Sequence, residues 1–348
     1  MRSGNFKETF ADLVVLTDQR WVWIWAAALA AFLVAVPFAA NAYILSLLTL
    51  ILITMTGALG LNLLTGLTGL ISLGHAGFLV LGAYAYAVPV AKHQMSPLVG
   101  FAAAGLVPAA VSIVVGLPSL RLRGLYLAIT TLAFASIINN VILEAGPITG
   151  GARGIAVMRP AMLGLDFGSD PAFARLCLAV ATLTLFACLN IRRSRVGRAF
   201  MAIRDNDIAA RTMGINLPRY KLYAFMTSAF FTGIAGALMG IYLSFVSVEG
   251  FPFLLSIEAL AILIVGGIGS ALGVVLGTVF IVLLPEVVRW LFGFVGGGIE
   301  AALSTGIHEV KSGLYGVVII LFLRFEPRGL VGVWTEVKRL WVHWPLRY

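Results

Sequence analysis

Long apolar runs are the feature of this chain that most constrains its fold. A helix needs about 20 mainly apolar residues to cross the hydrocarbon layer of a membrane, and such runs recur here between short polar connections. Hydrophobic residues make up 60% of the 348 residues, and charged residues only 11%. Soluble domains carry about a quarter charged residues, so the sequence predicts an integral membrane protein that crosses the bilayer many times.

About ten segments are predicted to cross the membrane, seven of them long and the last three shorter. They are Trp21–Ala40, Tyr43–Leu64, Ile71–Val90, Leu98–Leu117, Gly124–Leu143, Phe173–Ile191, Leu222–Val246, Ser256–Gly267, Ser270–Leu284 and Gly313–Arg324. The region 256–284, divided by the sequence GGIGS, is also compatible with a re-entrant pair. The predicted fold is therefore an all-α polytopic bundle over residues 21–324, with a lead at 1–20 and a tail at 325–348.

The placement of charge predicts the orientation of these spans. The connection Arg192–Lys221 carries eight Lys or Arg residues against two Asp residues, and short basic loops stay in the cytoplasm. Arg121 and Arg123, two spans earlier, then lie on the same side. The balanced loop Glu144–Ala172 and the irregular segment Glu286–Ser312 are predicted outside, and both termini inside. The formal charge of +9 thus indicates membrane orientation, and no nucleic-acid partner is expected.

Two apolar segments are interrupted by glycine, namely Gly60–Gly82 and Val265–Gly277. Glycine destabilises a helix, and backbone freed from a helix in lipid must find partners in protein or beside water. In transporters, broken segments at corresponding places in two halves point to the substrate path. One segment lies early and one late, so two pseudo-symmetric halves are predicted. Close helix packing through small residues is the alternative interpretation.

Polar side chains enter the first glycine-rich segment at membrane depth. Asn62, Thr65, Ser72 and His75 are candidates for lining the substrate path, and Glu258 at the start of a later span is a fifth. Ionisable residues inside a membrane are functional hypotheses by default. The competing interpretations are that His75 links helices by a hydrogen bond and that Glu258 is solvated at the outer interface.

Two adjacent amides lie near the outer end of the fifth predicted span. Asn139 and Asn140 could face a pore or cap a helix, and capping is the favoured interpretation because Asn is common at helix termini. No cofactor or metal is expected.

The basic connection is predicted to contain a short helix. Asp205, Asn206 or Asp207 could cap a helix over Ile208–Met213, and Gly214 could end it. A short helix between long spans suits docking onto a cytoplasmic partner, whereas the alternative is an ordinary solvated connector.

Five motifs in order resemble the membrane subunits of ABC importers for branched-chain amino acids. They are GLNLLTGLTGLISLGHAGFLVLGAY, TGGARGI, SRVGRAFMAIRDNDIAARTMGINLPRYKLYAF, GGIGSALGVVLG and LRFEPRGLVGVW. The resemblance runs from about Leu45 to Trp334. The long N-terminal lead and the TGG loop resemble the LivM-type subunit more than the shorter LivH-type.

The resemblance implies a permease subunit in a bacterial inner membrane. Its implied partners are a second, LivH-type permease, two cytoplasmic ABC ATPase subunits and a periplasmic or extracellular substrate-binding protein. The sequence contains no G-x(4)-G-K-[ST] loop to hold nucleotide phosphates. The energy for transport is therefore expected from another chain, and no catalytic residue is predicted in this one.

The resemblance also implies that the loop helix is the coupling helix that contacts an ATPase. The residues assigned to coupling on this basis are Arg204, Asp205, Asp207, Ala209, Ala210, Arg211 and Gly214. Importers of this group carry a diffuse EAA-x(3)-G signature at this place. Here Ala209, Ala210 and Gly214 keep the spacing, but Ile208 replaces the glutamate, which puts the usual acidic contact in doubt.

Two other classes of function compete with the importer. An ion-coupled carrier or channel would need ionisable groups at mid-membrane, where His75 is nearly alone. An intramembrane enzyme would need a catalytic or metal-binding set such as H-E-x-x-H, and the four histidines are scattered along the chain.

Overall fold

The computed structural model describes residues 41–119, 122, 124–162, 164–293, 307–326 and 328–343. The predicted span Trp21–Ala40 lies outside these residues, as do Arg121 and Arg123.

The described part of the chain is almost entirely helical, which confirms the all-α prediction. Its main helices are α1 (Ala42–Leu61), α2 (His75–Ala87), α3 (Pro97–Ser119), α4 (Leu125–Glu144), α5 (Asp170–Arg193), α6 (Arg195–Asp205), α7 (Asp207–Thr212), α8 (Leu217–Leu243), α9 (Leu254–Gly266), α10 (Ala271–Gly293), α11 (Ile307–Phe325) and α12 (Gly329–His343). Two-residue strands form two antiparallel pairs, β1 (Ile155–Ala156) with β4 (Phe245–Val246) and β2 (Ala161–Met162) with β3 (Leu165–Asp166).

Seven helical segments in the described residues are long and apolar enough to cross a membrane. They are Ala42–Gly66, Pro97–Pro118, Leu125–Glu144, Asp170–Arg193, Leu217–Leu243, Val248–Gly266 and Ala271–Trp290. Each corresponds to one predicted span, and the region predicted as either two spans or a re-entrant pair supplies two of the seven. The helix at Gly313–Phe325 is shorter. The count of ten, the two-fold relation of the halves and the position of the termini stay predictions.

Helix α8 lies at the centre of the bundle, packed against α1, α2 and α3. Glycines allow this close packing because a side chain would overlap neighbouring backbone. A Cβ on Gly236 would lie 2.0 Å from the Leu79 carbonyl oxygen, and one on Gly233 would lie 2.0 Å from that of Ala104. Small residues bring membrane helices together in this way, so the predicted glycine packing is present in the core of the bundle.

The two ends of the bundle differ in structure. At one end, which we call the hairpin end, the pair β1–β4 joins the connection between α4 and α5 to the connection between α8 and α9, and the pair β2–β3 lies within the first of these. Lys92 Nζ donates to the Pro147 carbonyl oxygen at 2.9 Å there, so α2 and α4 both finish at this end. The opposite end carries α6 and α7, and we call it the loop end.

Several predicted boundaries are wrong. The span Ile71–Val90 is helical only from His75 onward. The connection predicted from Glu286 to Ser312 begins too early, because α10 continues to Gly293, and it ends too late, because α11 begins at Ile307. Glu286 is held within α10, where it accepts a hydrogen bond from Tyr43 Oη at 2.6 Å.

The loop predicted over residues 192–221 is mostly helical. Helix α5 runs on to Arg193, α6 and α7 fill the middle, and α8 starts at Leu217. Lys221, predicted as part of the basic connection, is buried in α8. Hydropathy missed α6 because an amphipathic helix lying against the bundle has no long apolar run.

Candidate functional site

The chain leaves helical geometry between α1 and α2, where the sequence predicts a break. Helix α1 ends in a π-helical turn over Asn62–Gly66, and residues 69–74, which we call the first break, are not helical. Gly69 has a φ of +72°, in the left-handed region that favours glycine. Thr65 Oγ1 donates to the Leu70 carbonyl oxygen at 3.1 Å. The first glycine-rich segment is therefore a real interruption inside the bundle.

The break leaves backbone N–H groups without helical partners at the start of α2. Three hydroxyl groups accept from these N–H groups, one from the break itself and two from other helices. The pairs are Ser72 Oγ with Gly74 N at 3.3 Å, Thr131 Oγ1 with Leu73 N at 2.9 Å and Ser256 Oγ with Ala76 N at 2.9 Å. Thr131 belongs to α4 and Ser256 to α9, so α2 begins where three helices meet.

The second break, residues 267–270, separates α9 from α10 and is much tighter. Gly267 has a φ of +117° and Gly269 a φ of +84°. The two breaks touch, because the Asn62 side-chain oxygen accepts from Gly269 N at 3.0 Å. A Cβ on Gly66 would lie 2.8 Å from Gly269 N, so only glycine allows this approach.

Arg204 of α6 reaches into the contact between the breaks. Its Nη1 donates to the Gly66 carbonyl oxygen at 2.7 Å. A Cβ on Gly269 would lie 2.5 Å from the same Nη1, and one on Gly69 would lie 3.3 Å from Arg204 Cγ. We call Asn62, Gly66, Gly69, Arg204 and Gly269 the junction. Through it one side chain of the loop end contacts both breaks.

The local structure of the loop end matches its predicted capping. Asn206 Oδ1 accepts from the backbone N–H groups of Ile208 and Ala209, both at 3.0 Å. Asn206 is therefore the cap of α7, and the two neighbouring aspartates are not. Gly214 follows the helix with a φ of +83°, as expected of a residue that ends a helix.

Helix α7 exposes apolar side chains on a basic surface. Ile208 is 67% exposed and Met213 is 84% exposed, whereas Ala210 faces the bundle at 3%. A groove of about 510 Å³ lies beside the helix. Its lining residues are Asp207, Arg211, Ile215, Asn216, Leu217, Pro218 and Lys221. Exposed apolar residues rimmed by charge are typical of protein-docking surfaces.

His75 and Glu258, two of the predicted path residues, line one small cavity. The cavity has a volume of about 30 Å³ and lies between α1, α2, α8 and α9, which is room for one or two water molecules. The His75 side chain is buried, with Gly57 beside the ring. Within the described residues its ring makes no side-chain hydrogen bond, and Glu258 is half-buried.

The other three predicted path residues lie near the breaks. Asn62, Thr65 and Ser72 are all buried, and each bonds to backbone of one of the breaks. Thr131 and Ser256, which the sequence did not single out, complete the same network. No group of three or more His, Cys, Asp or Glu side chains that could hold a metal ion occurs among the described residues.

Membrane-length helices, two interrupted segments that meet at a junction and an exposed basic loop end together define a polytopic permease. The sequence comparisons identify the particular group. A family model described as the permease component of the branched-chain amino acid transport system matches residues 43–323, so this chain belongs to that family, and the predicted resemblance is confirmed.

Individual relatives agree with the family model. The high-affinity branched-chain amino acid transport system permease protein LivM of Salmonella typhimurium is 34% identical over 328 residues, which cover 87% of this chain and 73% of the relative. LivM of Escherichia coli K12 is 33% identical over the same shares. LivH of Salmonella typhimurium is 24% identical over 79% of this chain and 90% of the relative. No solved structure matches this chain.

Proposed function

We propose that this chain is the LivM-type permease subunit of an ATP-driven importer for branched-chain amino acids or related amino acids and amides. It forms half of the translocation path, and α6 and α7 couple that path to ATPase subunits on the loop side of the membrane. Support for the substrate class comes from the LivM relatives, which are named as branched-chain amino acid permeases.

The single observation that carries the coupling proposal is the hydrogen bond from Arg204 to Gly66. It joins α6 to the end of the π-helical turn at 2.7 Å, and Gly269 lies against the same guanidinium group. A displacement of α6 must therefore displace both breaks or sever this bond. Packed elements move as units because protein interiors have few voids, so a push on the loop end reaches the broken segments directly.

The surface of α7 suits the ATPase contact. Ile208 and Met213 are the exposed apolar side chains, and Arg211 lines the groove beside them. An isoleucine at the position of the usual glutamate makes this contact apolar at its centre. Asp205, Asp207 and Arg211 form its polar surroundings, and the exposed Ala209 adds a small apolar side chain beside Ile208.

The complete importer also needs a second permease, two ATPases and a soluble binding protein. The second permease is of the LivH type, and the 24% identity to LivH over most of both chains supports two subunits of related fold. The binding protein docks at the hairpin end, opposite α7. The assembly lies in the bacterial inner membrane with the loop end in the cytoplasm.

The path residues act by moving with the first break. His75 and Glu258 line a cavity of about 30 Å³, which holds water but no amino acid. Asn62, Thr65 and Ser72 hold the breaks in this closed arrangement. Transport therefore requires that the start of α2 shift away from α9 while the junction passes on the movement of α6.

The test compares two exposed methionines at opposite ends of the bundle. Met213 at the loop end is 84% exposed and Met158 on the hairpin side is 89% exposed. We expect Met213→Asp to abolish co-purification of the ATPases and to lower ATP-driven leucine uptake in proteoliposomes at least tenfold. Met158→Asp should leave co-purification unchanged.

Retention of both ATPases and of uptake by Met213→Asp would contradict the docking assignment. Leucine uptake driven by an imposed ion gradient, by the two permeases without ATPases, would favour the ion-coupled alternative and would overturn the importer as a whole.

A further inference from the structure

The neighbouring helices α3 and α4 present very different surfaces to the outside of the bundle. Along α3, every exposed residue between Pro97 and Pro118 is apolar. These residues are Leu98, Val99, Ala102, Leu106, Val107, Ala110, Val114, Leu117 and Pro118. Such a surface is what lipid tails require, and α3 therefore shows what a lipid-facing helix looks like in this molecule.

Helix α4 instead carries three exposed polar residues, Ser136, Asn140 and Glu144, in the half that reaches the hairpin end. Its exposed loop-side residues, Leu125, Tyr126 and Ile129, are large and hydrophobic like those of α3. With the exposed Ala133, the three polar residues follow one another at spacings of three and four, so the four form one stripe on the helix. Ile137 and Val141 adjoin the stripe and are 59% and 55% exposed. The stripe begins near the middle of the helix and reaches the hairpin end.

The amides distinguish this stripe from an ordinary lipid-facing surface. The Ser136 hydroxyl donates to the Leu132 carbonyl oxygen of its own helix, and hydroxyls satisfied in this way are tolerated in lipid. The Asn140 amide donates one hydrogen bond to the Ser136 carbonyl oxygen at 2.9 Å. Within the described residues the side-chain oxygen of Asn140 accepts no hydrogen bond, and placing such an unpaired amide oxygen in hydrocarbon costs free energy.

The neighbouring amide has the same deficiency. Asn139 Oδ1 is buried without a hydrogen-bond partner in the described structure. Neither amide caps a helix, so the favoured prediction for this pair is wrong. The alternative, that they face a pore, fits the exposed Asn140, whereas the Asn139 oxygen is buried inside the molecule. An exposed face with the unpartnered Asn140 oxygen needs water or a polar solute against it.

We infer that the stripe Ala133, Ser136, Asn140 and Glu144 lines the water-filled passage of the assembled importer and contacts the solute. This inference rests on the proposed function and adds to it the residues that line the passage. The solute that fits is a zwitterionic amino acid. The amide and hydroxyl groups bind its charged ends, and Ile137 and Val141 contact its aliphatic side chain.

Cysteine labelling in the assembled importer tests this assignment. Cys177 and Cys188 are buried and free, and both are replaced by Ala to give a background without thiols in the described chain. Ser136→Cys and Asn140→Cys are then compared with Leu106→Cys and Ala102→Cys on α3. At 1.5 Å per residue the α4 sites lie about 12 Å and about 6 Å from the hairpin end of their helix, and the matched α3 controls lie about 14 Å and about 8 Å from theirs. The probes are a membrane-impermeant cationic thiosulfonate and a lipid-soluble maleimide.

We expect the cationic reagent to modify both α4 cysteines at least tenfold faster than both α3 cysteines, and leucine with its binding protein to slow the reaction. Equal, slow modification of all four sites by the cationic reagent would overturn the inference. The maleimide then identifies what covers the stripe, since reaction at α4 would indicate lipid and protection would indicate a dry contact with the second permease.

The labelling is measured without ATP. A negative labelling result therefore contradicts the position of the stripe without bearing on the proposed coupling to the ATPases. Repeating it in the Met213→Asp background should leave the α4 pattern unchanged, because that substitution lies at the loop end.

Discussion

The two breaks in this bundle solve the same problem in different ways. The first break leaves six residues, 69–74, out of helical geometry, and hydroxyl side chains from α4 and α9 satisfy the N–H groups that it frees. The second break takes four residues, 267–270, and depends on glycines that lie against neighbouring backbone. One break is held by exchangeable hydrogen bonds and the other by a lack of space.

This difference indicates which break moves. Hydroxyl caps can be exchanged for water one at a time, at about 1 kcal/mol for each net hydrogen bond. A backbone contact too tight for a methyl group cannot be loosened one group at a time in this way, because the closely packed atoms have to move together. We therefore expect the second break to act as the fixed point of the junction and the first break to rearrange during transport.

The largest expected effect comes from a side chain at the second break. Gly269→Val forces a β-branched residue to a φ of +84° and places its Cβ 2.9 Å from the Gly66 carbonyl oxygen. Strain of this kind costs of the order of 3 kcal/mol, so we expect loss of the monodisperse peak in detergent gel filtration. Gly313→Val is the control, since a Cβ there meets nothing within 4 Å. A stable Gly269→Val protein would contradict the expectation that the second break is rigid.

The next effect concerns the contact between the breaks and the loop end. Arg204→Met removes the donor to Gly66 and keeps a long apolar stem. We expect a folded protein whose ATPases still bind and hydrolyse ATP, with leucine uptake lowered at least tenfold because the push no longer reaches the junction. Arg198→Met on the same helix is the control, since Arg198 donates to Arg193 and lies outside the junction. Uptake at the wild-type rate in Arg204→Met would show that the movement takes another route.

The smallest effect tests the exchangeable caps of the first break. Ser256→Ala leaves the Ala76 N–H without its acceptor in a buried site, which costs about 1–3 kcal/mol. A lower midpoint of thermal unfolding is expected, with the folded protein retained. Thr182→Ala on the exposed side of α5 should leave the midpoint unchanged. A Ser256→Ala effect as severe as that of Gly269→Val would mean that both breaks are equally rigid.

Features that depend on a few neighbouring residues were predictable. Hydropathy located all seven helical segments of membrane length in the described residues, although it predicted two of them as short spans, because crossing a membrane requires a continuous apolar run. Asn206 and Gly214 were identifiable as ends of α7 because capping involves residues within one turn. Glycine content located both breaks. Amphipathic α6 escaped prediction because its helical form depends on the bundle against which it packs.

The sequence by itself thus determined the membrane class, the family, most spans and the places where helices are interrupted, since each of these is written in local composition or in a motif. Tertiary structure alone decided what the interruptions contact. Thr131 and Leu73 are 58 positions apart, Arg204 and Gly66 are 138 apart, and Ser256 and Ala76 are 180 apart. No local pattern encodes such pairs, because each exists only after the helices have packed and left particular backbone groups without partners.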